Sequence, residues 1–250
     1  MEELRLGPLP LAVSDHGGDG RPVVLLPGGG RTRRDWDAFA GLLRDAGYHP
    51  VAVDLRGQGR SGVAPWSWPG ALSDVATVVD TLGLDRPAVV GHSLGGMVAA
   101  LWAARHPECP LAVNVDGHGN PTRPDQFAGS DDPAHRSLLT FIGNAVEELP
   151  EPLAQMMGEV DALDLFTVYR ATRAPLLVVC AVADGSGGFL PEHLAAAWAD
   201  YHAWVWRELA TLAAQVPLVS VVSLPTGHDV HRQDPAALLR LVTDRLTAAA

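Results

Sequence analysis

Lysine is absent from this chain of 250 residues, so all 18 permanent cations are arginines. That excludes Schiff-base chemistry on a lysine amine and excludes a phosphate-binding P-loop, whose motif requires Lys. Cysteine is scarce. Cys109 and Cys180 make no disulfide framework and lack the spacing of a metal site. Cys180 lies in an apolar run and reads as a small core hydrophobe. No apolar run approaches the roughly 18 residues that a membrane span needs. The opening "MEELRLGPLPLAV" lacks the basic-then-apolar pattern of a secretory signal. A cytoplasmic protein is expected. Positive charge is in deficit, with a net charge of −11, which argues against nucleic acid and anionic membrane surfaces as partners. The expected partner is a small-molecule substrate, and a homo-oligomer is left open.

What the sequence does contain is an alternation of short apolar runs with longer amphipathic stretches. "RPVVLLPGGG" (21–30), "HPVAVDLRG" (49–57), "PAVVGHS" (87–93), "PLAVNVDG" (110–117), "APLLVVCAVADG" (174–185) and "VPLVSVVSLP" (216–225) read as strands. Residues 36–48, 70–84, 94–107, 191–216 and 234–250 carry helical spacing. Strands apolar throughout, each followed by a helix, predict parallel βαβ units and a sheet covered on both faces. Residues 117–173 break the rhythm. They hold a Pro/Gly/Asp-rich loop and then "AHRSLLTFIGNAVEELP" and "EPLAQMMGEVDALDLFTVYRATR", both helical in pattern. That is too long for a simple crossover, so the expectation is an α/β core domain over 1–117 and 174–250, with a helical cap over 118–173.

The most informative stretch is "AVVGHSLGGMVAALWAARHP" (88–107). A buried strand becomes a helix at a serine fenced by glycines. In Gly-x-Ser-x-Gly the chain turns so sharply that the serine hydroxyl is lifted above the strand end, and glycines let the backbone approach on both sides. Ser93 is therefore the candidate nucleophile, and the Leu94 N–H at the helix start is a candidate oxyanion donor. Three glycines in "LLPGGGRT" (25–32) offer the second donor, with neither dinucleotide nor Walker spacing. A serine nucleophile needs a base and an orienting carboxylate, expected in the order Ser, acid, His. "SLPTGHDVHRQDP" supplies His228 just after the last strand, while His231 reads as a solvated helix-start residue. Asp184, closing "LLVVCAVADG", is the expected acid, with Asp116 the runner-up.

These segments resemble the α/β-hydrolase fold over nearly the whole chain. "VVGHSLGGM" resembles that family's nucleophile elbow, and "VAVDLRGQGRSG" (51–62) is similar to its D-x-R-G-x-G-x-S segment, in which Asp54, Arg56 and Ser61 look like scaffold residues. "LLPGGG" resembles its oxyanion turn and carries Gly29 into the donor position, with Pro27 where a histidine is usual. The acid and histidine segments carry those roles to Asp184 and His228. The resemblance implies a mostly parallel central sheet flanked by helices, a small helical cap after the sixth strand, and hydrolysis without cofactor or metal. The expected function is a serine hydrolase acting on an ester, lactone or thioester of a small to medium, mostly apolar substrate. His118, Trp66, Phe141, Met157 and Tyr169 are the candidate pocket residues. A carbon–carbon bond hydrolase, lyase or cyclase using the same triad, or a receptor on the same fold, stays open.

Overall fold

The computed structural model describes residues 2–127, 132–183 and 190–248. The chain opens with β1 (Glu2–Leu6) and β2 (Leu11–Asp15), paired antiparallel. Strands and helices then alternate through β3 (Pro22–Leu26), α1 (Asp37–Asp45), β4 (His49–Val53), α2 (Trp68–Leu82), β5 (Ala88–His92), α3 (Leu94–Arg105) and β6 (Ala112–Val115). Three helices follow: α4 (Pro133–Glu147), α5 (Glu151–Ala162) and α6 (Leu165–Arg170). The chain re-enters the sheet as β7 (Leu176–Ala181), crosses over in α7 (Ala195–Gln215), and returns as β8 (Val219–Leu224). The short α8 (Val230–Gln233) and then α9 (Pro235–Ala248) complete it.

Among the described residues, eight strands form one sheet in the order β1-β2-β4-β3-β5-β6-β7-β8. Pairing is parallel from β4 through β8, and β2 joins β4 antiparallel. The period-two geometry of a strand divides each apolar run between two cores. In β3, Val23 and Leu25 pack with Trp36, with Phe39 and Leu43 of α1, and with Leu238 and Val242 of α9. Val24 and Leu26 face the opposite layer, with Val75 and Val78 of α2 and Val98 of α3. Burial on both faces is why these strands read as continuous apolar runs. Helix α3 is buried from Leu94 to Ala103, as its nearly uniform apolar sequence requires.

Two differences from the sequence reading have local causes. β1 and β2 were not expected. The edge strand β1, "EELRL", is mostly exposed and carries three charges, so no apolar run announces it. The helical stretch over 151–173 is two helices, because the Asp164 side chain accepts from the Thr167 N–H at 3.1 Å and caps a new start. Helix α5 is tied to α2 by the Trp68 indole N–H, which donates to the Glu159 carbonyl at 3.0 Å. The scaffold reading of the 51–62 segment matches its contacts. Buried Asp54 binds the Arg33 guanidinium at 2.7 Å and the Arg33 N–H at 2.6 Å, and Arg56 grips Asp74 through two bonds at 2.7 and 2.9 Å.

Candidate active site

Ser93 sits between β5 and α3 with φ 52° and ψ −118°, a conformation that L-residues rarely adopt. The surrounding contacts hold it there. Its N–H donates to the Val115 carbonyl at 2.9 Å, and its own carbonyl accepts from the Gly96 and Met97 N–H groups at 2.9 and 3.1 Å. A Cβ at Gly91 would run into the Gly95 backbone, and one at Gly95 would meet the Leu26 and Pro27 carbonyls. Both flanking glycines are thus required by close backbone approach.

His228 lies on the turn after β8, with its side chain 46% exposed. Its Nδ1 is 2.7 Å from Asp116 Oδ2, and Asp116 Oδ1 accepts from the Ala181 N–H at 2.8 Å. Asp116 itself follows β6 and has φ 52°. Burial alone would raise its pKa, but the His228 hydrogen bond, the nearby His118 ring and the Ala181 hydrogen bond together hold the carboxyl below its ordinary value. A carboxylate only accepts, so Nδ1 carries the proton and Nε2 is left as the basic nitrogen. Asp184, the acid expected from sequence, lies outside the described residues.

Ser93, Leu94, Gly29, Asp116 and His228 all line one cavity of about 700 Å³. The Gly28–Gly29–Gly30 turn reaches it from the end of β3, and the site of a Cβ on Gly28 would lie 3.3 Å from Ser93 Cβ. Among the described residues, the N–H groups of Gly29 and Leu94 donate to no protein acceptor. They are therefore free to serve a bound oxygen.

The apolar lining comes chiefly from Leu153, Met156, Met157 and Val160, a stripe along one face of α5, with Trp198 of α7 also present. His118 and His202 add neutral polar groups. Burial pushes His118 down to about 4 and lowers His202 as well. His118 Nε2 also lies 3.4 Å from Cys180 Sγ. The structure thus brings His118 and Met157 of the sequence-predicted pocket residues to this cavity. It does not bring the other three. Trp66 is in the core, edge-on to Trp68. Phe141 lines a separate surface depression beside α4. Tyr169 is fully buried, and its OH accepts from Asn114 Nδ2 at 2.7 Å.

His231 is 1% exposed, not solvated, and its ring packs 4.4 Å from Trp36 and 4.5 Å from His92. Helix α8 turns it inward beneath the His228 loop. Sequence reasoning missed five further neighbours. Arg31 grips Asp229 through two bonds at 2.8 and 2.9 Å, joining the glycine turn to the histidine loop. His202 and Trp198 stand four residues apart on α7, a spacing that places them on one helix face. His92 lies beside the nucleophile, and nothing in the local sequence marks its contact with the His228 carbonyl. Among the described residues, no group of three or more His, Cys, Asp or Glu is placed to hold a metal, and no helix is long and apolar enough to cross a membrane.

A mostly parallel sheet with a serine elbow at the C-terminal end of a central strand defines the α/β-hydrolase fold. The sequence model of the alpha/beta hydrolase family matches residues 23–241. The chain belongs to that family. Among curated relatives, the bifunctional esterase/perhydrolase DCH of Acinetobacter calcoaceticus is 38% identical over 107 residues, 40% of this chain and 38% of that protein. The 2-hydroxy-6-oxononadienedioate/2-hydroxy-6-oxononatrienedioate hydrolase of Burkholderia vietnamiensis is 35% identical over 124 residues, 44% and 41% of the two chains. The chain thus spans about two fifths of the length of the curated relatives it matches. Among solved structures, the enol-lactonase from Burkholderia xenovorans LB400 aligns with a TM-score of 0.70 at 20% identity, covering 98% of this chain and 100% of that one.

Proposed function

We propose that the protein is a serine hydrolase that cleaves a neutral carboxylic ester, lactone or thioester through an acyl-enzyme on Ser93. The observation that carries this reading is the 2.7 Å contact between Asp116 and His228 Nδ1, in the cavity that Ser93 also lines. His228 Nε2 takes the Ser93 proton as Oγ attacks the carbonyl carbon and later returns it to the leaving group. Asp116 fixes the imidazole and stabilises its cation, a role supported by its 2.7 Å contact with Nδ1. The Gly29 and Leu94 N–H groups hold the oxyanion, where losing one donor typically costs ~10²–10³ in rate. Water activated by His228 then releases the acid.

The cavity supports a neutral substrate. Its one arginine, Arg31, is bound by Asp229 and Asp35, and its buried histidines are uncharged near neutral pH. Residues 118–173 are read as a substrate cap, since α5 supplies most of the apolar lining. The test is hydrolysis of p-nitrophenyl esters by wild type and Ser93→Ala. Turnover that vanishes in the variant supports the reading, and turnover that survives in it removes Ser93 from the mechanism.

A further inference from the structure

His228 must sit at a fixed distance from Ser93, yet it lies on a half-exposed turn, and among the described residues the ring's one hydrogen bond is to Asp116. The backbone of that turn has a second anchor. His92, the last residue of β5 and the immediate neighbour of Ser93, is 1% exposed, and its Nε2 lies 2.9 Å from the His228 carbonyl oxygen. The same oxygen accepts from the Val230 N–H at 3.0 Å. The His92 ring lies 4.5 Å from the His228 ring. Its other nitrogen, Nδ1, is buried with no hydrogen-bond partner among the described residues and lies toward Gly28, where a Cβ would stand 3.0 Å away. One imidazole therefore touches the nucleophile's strand, the base's backbone and the oxyanion turn.

We infer that His92 is a positioning residue that fixes His228 against Ser93 by donating its Nε2–H to the His228 carbonyl. The inference rests on the proposed roles of Ser93 and His228. A carbonyl only accepts, so the ring must hold its proton on Nε2 and leave Nδ1 bare. That tautomer suits the contact with Gly28, where no acceptor is present and no Cβ intrudes. The ring must also stay uncharged. The groups facing it are His228, His231 and Asp229, whose Oδ1 lies 3.8 Å from Nε2. A cation here would oppose the imidazolium that His228 becomes during attack. Burial keeps His92 neutral, with its pKa pushed down to about 3.

The prediction separates position from packing. A glutamine at 92 can bring its amide N–H to the place of Nε2, whereas an asparagine reaches only the place of Nδ1 and a leucine donates nothing. The experiment measures kcat and KM for a p-nitrophenyl ester, and the rate of Ser93 labelling by a small fluorophosphonate, on wild type, His92→Gln, His92→Asn and His92→Leu, with thermal melts of each. We expect kcat and the labelling rate to fall about 10- to 100-fold in His92→Leu and His92→Asn, with KM changed by less than about threefold. His92→Gln should recover most of the loss. Equal rates in the glutamine and asparagine variants, or a fall in kcat that only tracks a fall in Tm, would overturn the inference. If the leucine variant does not fold, the glutamine–asparagine pair decides alone. Failure of wild type itself to be labelled at Ser93 would instead count against the serine hydrolase reading.

Discussion

Asp116 and His228 are 112 positions apart in sequence, and their side chains meet at 2.7 Å. The contact joins the end of β6 to the turn after β8, across the intervening β7. It is made possible by the positive φ of Asp116 and by the Ala181 N–H, which holds the second carboxylate oxygen. That relationship gives the first prediction. Asp116→Asn should keep the fold but favour the wrong imidazole tautomer, lowering kcat on the order of 10⁴-fold. Asp184→Asn should stay within a few-fold of wild type. Steady-state kinetics on both variants, with far-ultraviolet circular dichroism, checks the pair.

Glycine 91 should tolerate nothing larger. Gly91→Ala puts a methyl group into the Gly95 backbone at the base of the elbow, where neither strand nor helix can shift. The expected cost is about 2–3 kcal/mol or more, read as a lower urea midpoint with an unchanged slope.

Acid should destabilise the protein before its carboxylates titrate. His92 is held down to about 3, and His118 and His231 to about 4, so between those values and 6.5 the unfolded chain binds more protons than the folded one. Stability is then full above pH 6.5 and is lost as pH falls. His92 alone accounts for roughly 3 kcal/mol by pH 4. Asp116 and Asp229, whose folded pKa values are depressed, contribute stability that is lost only as pH falls below about 4. Urea midpoints measured from pH 7 to 4.5 should decline steadily. A flat profile would mean that these histidines are protonated in the folded state.

The α5 stripe should govern substrate choice more than reactivity. Met157→Ala removes part of the apolar wall and enlarges the cavity, leaving the Asp116–His228 contact untouched. Relative kcat/KM along an ester chain-length series should shift by about 3- to 10-fold, with labelling by a small fluorophosphonate nearly constant. A parallel loss on every substrate would place Met157 in the fold's support instead.

The elbow was legible because its signal is local. A strand, two glycines around a serine, and a helix are contiguous in "VVGHSLGGM", and steric demand alone links them. The parallel strands were legible for a related reason, since burial on both faces leaves uninterrupted apolar runs. The acid was not. Asp116 and Asp184 both close an apolar strand before a glycine, and nothing local to either segment says that the fold carries Asp116 to His228. The pocket residues were no easier, because Tyr169 in the core and Met157 in the cavity both satisfy helical spacing. His231 shows the same limit, since nothing in "GHDVHRQDP" says that α8 turns that ring under Trp36 and His92.

The most direct measurement is the intact mass of the protein after treatment with a fluorophosphonate, with peptide mapping of the modified residue, on wild type and Asp116→Asn. A serine activated by the Asp116–His228 pair predicts a single adduct at Ser93 in wild type and labelling of Asp116→Asn slowed by orders of magnitude. No adduct on folded wild type, an adduct at another residue, or equal labelling of the two proteins would contradict it.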